Sequence, residues 1–193
     1  MATHFSKGDG KIDTINVYVD SDWGGELAGR RSTSSGAILI NDCLVHSFSR
    51  TQGVTATSSG EAEFYAIGSG LSEALMFQTV LREMLFECKI IVHSDSKAAT
   101  AMSTRLGLSR AKHIEIKYLW QQDIFKHRGA KIVRVNSAEN PADLGTKPLA
   151  AQTILRLSLG IRPVQRRDIK TTGLSAKITT ASGVLACLVN YVN

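Results

Sequence analysis

Two aspartates, each at the end of a run of β-forming residues, are the strongest chemical signal in this sequence. Asp20 ends Val17–Asp20, and Asp95 ends Ile90–Asp95. Runs rich in Val, Ile and Tyr predict buried strands, and a carboxylate at a strand end lies at the rim of the sheet. Two parallel neighbouring strands would bring both carboxylates together. Because two anions in one cleft repel each other unless a cation lies between them, this layout predicts a divalent-metal site.

Two further acids begin predicted helices, where helix N-termini meet the same rim of a parallel sheet. Glu63 lies in the first turns of a helix that Ser58 and Glu61 start as a capping box. Asp143 lies in the first turn of a helix with Pro141 at its first position. The predicted catalytic and metal-ligating residues are therefore the four carboxylates Asp20, Glu63, Asp95 and Asp143.

Ligand sets made only of oxygen favour Mg²⁺ or Mn²⁺ over zinc, and four carboxylates could bridge two such ions. One ion would activate a water, and the other would stabilise the leaving oxygen of a displacement at phosphorus. Each acid also has a structural explanation. An aspartate after a strand is a common turn residue, and Asp143 favours the dipole of its helix. Glu61 is better explained by the capping box than by catalysis.

The order of predicted elements indicates an α/β fold with a mixed five-stranded sheet. Three strands with short links, Ile15–Asp20, Ser35–Ile40 and Leu44–Ser49, predict an antiparallel meander. A helix from about Ser59 to Phe86 then separates them from a parallel fourth strand, Ile90–Asp95. A short helix capped by Ser96, an amphipathic helix over 112–128, a fifth strand over 131–135 and helices after Asn140 and over 149–159 complete the pattern.

Length and charge indicate one domain with a basic extension. Of the 23 Lys and Arg residues, six lie in residues 151–193 with one of the 17 Asp and Glu, so +5 of the net charge of +6 lies there. We expect a lead-in over 1–14, the catalytic domain over 15–150, and a partly disordered extension over 151–193. Because no apolar run reaches the ~20 residues of a membrane helix and three scattered cysteines suggest free thiols, we expect no membrane partner and no secretion.

Six motifs, in register from about residue 15 to 150, resemble the ribonuclease H domain of copia-type retrotransposon polyproteins. The resemblance implies the ribonuclease H-like fold, a two-ion Mg²⁺ or Mn²⁺ site, and cleavage of the RNA strand of RNA–DNA hybrids. It also implies a reverse transcriptase elsewhere in the polyprotein as partner, and a cytoplasmic retroelement particle or the nucleus as location. The family's acids fall on the four residues named above, and the mobile histidine of the wider fold family has no counterpart in 136–142. The motifs are 20–25, 30–36, 58–66, 93–99, 112–118 and 140–149.

A hybrid duplex requires contacts to phosphates and to 2′-hydroxyls. Basic and polar residues near the acids are the candidates, although any one of them could equally be part of a solvated surface. Trp23 could stack on the substrate, but packing is the better explanation. The predicted substrate-binding residues are Arg30, Arg31, Ser59, Arg110, Lys112, His113 and Lys147.

Three functions stay open at this point. The leading hypothesis is a metal-dependent ribonuclease H within a polyprotein, of which the chain is a C-terminal piece or a gene fragment. The alternative is a decayed retroelement remnant that only binds nucleic acid. A DNA strand-transfer enzyme of the same fold is a third hypothesis, and its acids would have a different spacing.

Overall fold

The structure, a computed structural model, describes residues 2–3, 12–26, 29–105, 114, 118–160 and 163–164. This part of the chain contains seven strands and four α-helices. The strands are β1 (Ala2–Thr3), β2 (Thr14–Ser21), β3 (Thr33–Ile40), β4 (Cys43–Thr51), β5 (Lys89–Ser94), β6 (Lys131–Arg134) and β7 (Pro163–Val164). The helices are α1 (Ser59–Glu83), α2 (Lys97–Thr104), α3 (Trp120–His127) and α4 (Ala151–Gly160), with 3-10 helices at Ser137–Glu139 and Pro141–Gly145.

Five strands form a mixed sheet in the order β4-β3-β2-β5-β6, which confirms the predicted fold class. β2, β3 and β4 are antiparallel neighbours, whereas β2 with β5 and β5 with β6 are parallel. The tight turn at Asn41 and Asp42, both with positive φ, joins β3 to β4. Because α1 crosses from β4 back to β5, the carboxyl ends of β2 and β5 lie at the same edge of the sheet. β1 and β7 form a separate two-stranded ladder.

The main core lies between α1 and one face of the sheet. Ile15, Val17 and Val19 alternate along β2 toward this face and are fully buried. Gly70 lets α1 approach closely, because a Cβ at this position would overlap the side chain of Val19. None of the helices in the described ranges is long and apolar enough to cross a membrane.

The opposite face of the sheet is covered near β2 and β3 by the second 3-10 helix. Leu144 of this helix packs, together with Tyr18 and Leu44, against a second small cluster made of Ala37 and Leu39. Asn140 was predicted to cap an α-helix here, and the structure shows a 3-10 helix of five residues in its place. This short element matters because it carries Asp143.

One predicted helix boundary was wrong, and the start predicted for another helix, at residue 112, lies outside the described residues. α1 ends at Glu83 rather than Phe86, because the chain turns back at Leu85, which has a φ of 67°. The described part of the predicted helix over 112–128 forms a helix only from Trp120. The apolar pattern continues past the end of α1 with Leu85 and Phe86, so periodicity alone could not locate that end. Most of the predicted extension over 151–193, and most of the lead-in, lies outside the described residues.

Candidate metal centre

The pairing of β2 with β5 brings the two strand-end aspartates together. In the parallel register, Tyr18 is opposite His93, and continuing it by two residues places Asp20 opposite Asp95. The aromatic rings of Tyr18 and His93 stack with centroids 4.4 Å apart, which keeps the two strand ends in line. Asp20 is buried and Asp95 is half-buried. Two carboxylates thus meet at one edge of the sheet, as their position in the sequence predicts.

Glu63 reaches this edge from α1. Ser58 caps the helix, with its hydroxyl accepting a hydrogen bond from the backbone N–H of Glu61. The Glu61 carboxylate accepts hydrogen bonds from Thr57 and from the Tyr65 hydroxyl, so this acid serves the start of the helix. Glu63 points to the rim instead. Burial, followed by the carboxylates of Asp20 and Asp95, raises the pKa of Glu63 from 4.5 to about 9.

These three carboxylates fit a divalent cation. One oxygen each of Asp20, Glu63 and Asp95 lies within 4.8 Å of the other two. The Glu63 Oε2 atom is buried and has no hydrogen-bond partner among the described residues. An unpaired buried carboxylate oxygen carries a desolvation cost that a cation would remove. The oxygen-only donor set suits Mg²⁺ or Mn²⁺.

Asp143 approaches Asp20 from the opposite face of the sheet and is not one of the three carboxylates that lie within 4.8 Å of one another. Asn140, which is fully buried, anchors its 3-10 helix: the Asn140 side-chain amide donates to the Val19 carbonyl at 2.8 Å, while its oxygen accepts from the Ala142 N–H. Asp143 lies next to Asp20. Burial and then the Asp20 carboxylate raise the pKa of Asp143 to about 6, although Lys147 opposes this shift. The Asp143 Oδ1 atom is a second buried oxygen with no hydrogen-bond partner in the described ranges.

Lys147 and Thr146 contact the acids directly. The Lys147 ammonium lies 3.1 Å from Asp143 Oδ2 and 3.7 Å from Asp20 Oδ2. The Thr146 hydroxyl donates a short hydrogen bond to the same oxygen of Asp20. Lys147 was predicted to bind substrate, which stays a prediction, and the structure pairs it with two predicted metal ligands. Lys147 follows directly after Thr146, the residue that ends this 3-10 helix, so the chain leaves the helix next to the two acids.

The curated relatives of the chain are copia-type Pol polyproteins of plant transposons. The Pol polyprotein of transposon TNT 1-94 from Nicotiana tabacum is 28% identical over 140 residues, which are 72% of this chain and 10% of the relative. That of transposon RE2 from Arabidopsis thaliana is 25% identical over 144 residues, or 73% of this chain and 10% of the relative. The chain thus spans about a tenth of the length of the relatives it matches. No family model matches the sequence.

The solved structure of LC11-RNase H1, isolated from compost, superposes with a TM-score of 0.53 and 18% identity. The match covers 70% of this chain and 94% of that one. This chain has the ribonuclease H fold. LC11-RNase H1 has also been solved in complex with an RNA/DNA hybrid, in a structure with a TM-score of 0.49 and 16% identity that covers 69% of this chain and 94% of that one.

Within the ribonuclease H fold, the predicted substrate contacts that the structure describes are exposed. Ser59 is exposed one helical turn before Glu63, on the same side of α1. Arg30 is exposed, with a φ of 54°, and Arg31 is exposed and ion-paired with Glu26 at 2.9 Å. Three predicted contacts lie outside the described residues, namely Arg110, Lys112 and His113.

Gln52 was missed as a structural residue of this fold, because a glutamine in a loop gives no sequence signal of burial. The structure buries it, and its side-chain amide donates to Ser34 Oγ at 2.9 Å and to the Ala62 carbonyl at 2.8 Å. Gln52 thereby ties β3 to the start of α1, at the residue that precedes Glu63.

Trp23, expected to pack, is 60% exposed, which makes that prediction wrong. Its indole N–H donates to the Ala56 carbonyl at 3.3 Å, so one edge of the ring is held while the ring itself faces solvent. Asp22 holds the same loop, because its carboxylate accepts from the Thr33 N–H at 2.5 Å. The Asp22 carboxylate therefore stabilises this loop.

Proposed function

We propose that this chain is a divalent-metal-dependent endonuclease that cuts the RNA strand of RNA–DNA hybrids, as the ribonuclease H part of a retrotransposon polyprotein. The observation that carries the proposal is the convergence of Asp20, Glu63 and Asp95 within 4.8 Å at one rim. The ribonuclease H fold and the Pol polyprotein relatives support the same assignment.

Asp20, Glu63 and Asp95 would hold one cation, and Asp20 with Asp143 would hold a second. Bound divalent ions of this kind activate a water and stabilise the leaving oxygen at phosphorus. The protein's own contribution is to orient the ligands. β2 and β5 fix the two aspartates, α1 presents Glu63, and Asn140 fixes the position of Asp143. Substrate phosphates would be bound by exposed cations near this edge, among which Arg30 is a candidate.

The test is a cleavage assay on a hybrid with fluorescently labelled RNA, in Mg²⁺ or Mn²⁺ and in EDTA. We expect RNA fragments only with metal, and no fragments from Asp95→Asn because one ligand charge is lost. The matched control is Asp42→Asn, the same substitution at an exposed turn. This turn follows the end of β3 that lies away from Asp20. The Asp42→Asn protein should retain full activity.

The substrates distinguish the competing functions. Full activity of the Asp95→Asn protein, or cleavage that continues in EDTA, would contradict the proposed site. Hybrid binding without cleavage by the folded wild-type chain would indicate a decayed remnant. Metal-dependent cutting or joining of double-stranded DNA with an intact hybrid would indicate a strand-transfer enzyme.

A further inference from the structure

The contact between Lys147 and the acids has a geometry that substrate binding does not explain. The ammonium lies within 4 Å of carboxylate oxygens from two predicted metal ligands, Asp20 and Asp143. Thr146, the preceding residue, donates to the same Asp20 oxygen. The segment after the 3-10 helix therefore places one positive charge and one hydroxyl donor where a cation would otherwise balance these acids.

The surroundings of the three groups differ. The side chains of Asp20 and Asp143 are 4% and 10% exposed, whereas that of Lys147 is 44% exposed. The acids are therefore fixed in the protein, and the lysine reaches them from the solvent side on a flexible stem. A compact ammonium on four methylene groups can leave such a pair without any movement of the backbone. Asp143 would then be left with uncompensated charge unless another cation replaced it.

We propose that Lys147 is a built-in counter-ion that competes with a divalent cation for Asp20 and Asp143. Without the cation, Lys147 holds these two acids in their working positions against mutual repulsion. When the cation binds, the ammonium leaves the acids and becomes available to a substrate phosphate. Lys147 is in this sense a positioning residue, and only the last step rests on the proposed function.

The competition has a measurable consequence for metal affinity. Replacing Lys147 by glutamine keeps a similar length and a hydrogen-bond donor but removes the charge. Mn²⁺ should then bind the acid cluster about five- to tenfold more tightly, because it no longer displaces an ammonium. The protein in EDTA should melt at a lower temperature than wild type, since the repulsion between Asp20 and Asp143 is no longer balanced.

The experiment is calorimetric titration of Mn²⁺ into the full chain without nucleic acid, with melting curves in EDTA and in Mn²⁺. Lys147→Arg retains a positive charge and should bind Mn²⁺ with an affinity near that of wild type. Lys131→Gln removes one charge from an exposed lysine of β6 and controls for the change in net charge. It should leave both the Mn²⁺ affinity and the melting temperature close to wild type.

Unchanged or weaker Mn²⁺ binding by Lys147→Gln would overturn the inference. So would an equal gain in affinity in Lys131→Gln, because the effect would then be general electrostatics. If Lys147→Gln melts too low to titrate, Lys147→Met at lower temperature provides the same comparison of affinities. If the wild-type chain fails to cleave the hybrid while Lys147→Gln gains Mn²⁺ affinity, the proposed function is refuted and the inference about Lys147 is not.

Discussion

At the scale of single residues, the site concentrates negative charge that the metal-free protein must neutralise. Glu63 does so by keeping its proton, because burial and two neighbouring carboxylates raise its pKa to about 9. Asp20 and Asp143 do so through Lys147. Cation binding and proton binding are therefore alternatives at the same oxygens.

The raised pKa of Glu63 predicts how the stability of the metal-free protein depends on pH. The folded protein retains a proton that the unfolded chain loses above its ordinary pKa of 4.5. The stabilisation is complete below pH 4.5 and is lost as the pH rises toward about 9. Denaturant unfolding in EDTA across this range should show a free energy of unfolding that falls with pH.

The matched variant is Glu63→Gln, which is neutral at every pH. Its free energy of unfolding should vary less with pH than that of wild type between pH 5 and 9. Parallel pH profiles for the two proteins would show that Glu63 is already ionised in the metal-free fold.

Proton release on metal binding provides an independent test. At pH 7 a Glu63 carboxyl with a pKa of about 9 must lose its proton before it binds a cation. Titration of Mn²⁺ in two buffers with different ionisation enthalpies should show about one proton released per cluster. Glu63→Gln should release fewer protons, and equal release by both proteins would contradict the assignment.

At the scale of elements, a five-residue 3-10 helix has an importance that its length does not suggest. It covers part of the sheet face opposite α1 and brings Asp143 against Asp20. Two features hold it there. Asn140 bonds both to β2 and to the helix itself, and Ser49 of β4 donates to the Gly145 carbonyl at 2.6 Å.

Asn140→Ala should therefore weaken both stability and activity. We expect a loss of about 2 kcal/mol in the free energy of unfolding, from one cap and one buried hydrogen bond. Hybrid cleavage should fall about tenfold or more, because Asp143 loses its fixed position. Asn136→Ala, which removes the exposed cap of the preceding 3-10 helix, is the control and should have a smaller effect on both. Equal effects would show that Asn140 acts only as a cap.

The close contact of α1 with β2 predicts that replacing Gly70 with alanine destabilises the protein. Gly70→Ala adds helix propensity worth about 1 kcal/mol. The new methyl group would overlap Val19 and lie 3.0 Å from Val17 Cγ1, so we expect a net loss of about 1–3 kcal/mol in denaturant unfolding. Gly53→Ala is the matched control, because a Cβ there has no atom within 4 Å among the described residues. A Gly70→Ala protein as stable as Gly53→Ala would mean that the helix shifts at no cost.

At the scale of the whole molecule, the charge is unevenly distributed along the chain. Residues 1–150 carry a net charge of about +1, whereas residues 151–193 carry +5. Long-range attraction to a polyanion therefore comes mainly from the C-terminal part. The acids at the rim, by contrast, would repel phosphates unless bound cations balanced their charge.

Replacing the five Lys and Arg residues of 161–193 with Gln should lower the affinity for any nucleic acid. The dependence of the logarithm of affinity on the logarithm of salt concentration should become shallower, because fewer counterions are released. Fluorescence anisotropy in Ca²⁺, from low to moderate salt concentration, measures both the affinity and its dependence on salt. An unchanged salt slope would mean that cations within residues 1–160 supply the phosphate contacts.

Local patterns in the sequence were sufficient for most of the elements. Runs of β-branched residues located the five strands of the sheet, and the Ser58 and Ser96 caps located the starts of α1 and α2 within a residue. Alternation and capping work because they depend on residues close in sequence. The same patterns overran the end of α1, where the chain turns back at Leu85.

The antiparallel meander followed by parallel strands could be predicted from the sequence alone, because element order and connection lengths set it, and so could the meeting of Asp20 and Asp95 at one edge of the sheet. The class of metal stays a prediction. The position of Lys147 on Asp20 and Asp143, the burial of Gln52 and the exposure of Trp23 could not be predicted. These properties depend on which surfaces face each other after residues far apart in sequence have packed. Local sequence determines what each element presents, and only the tertiary structure decides which partner that group meets.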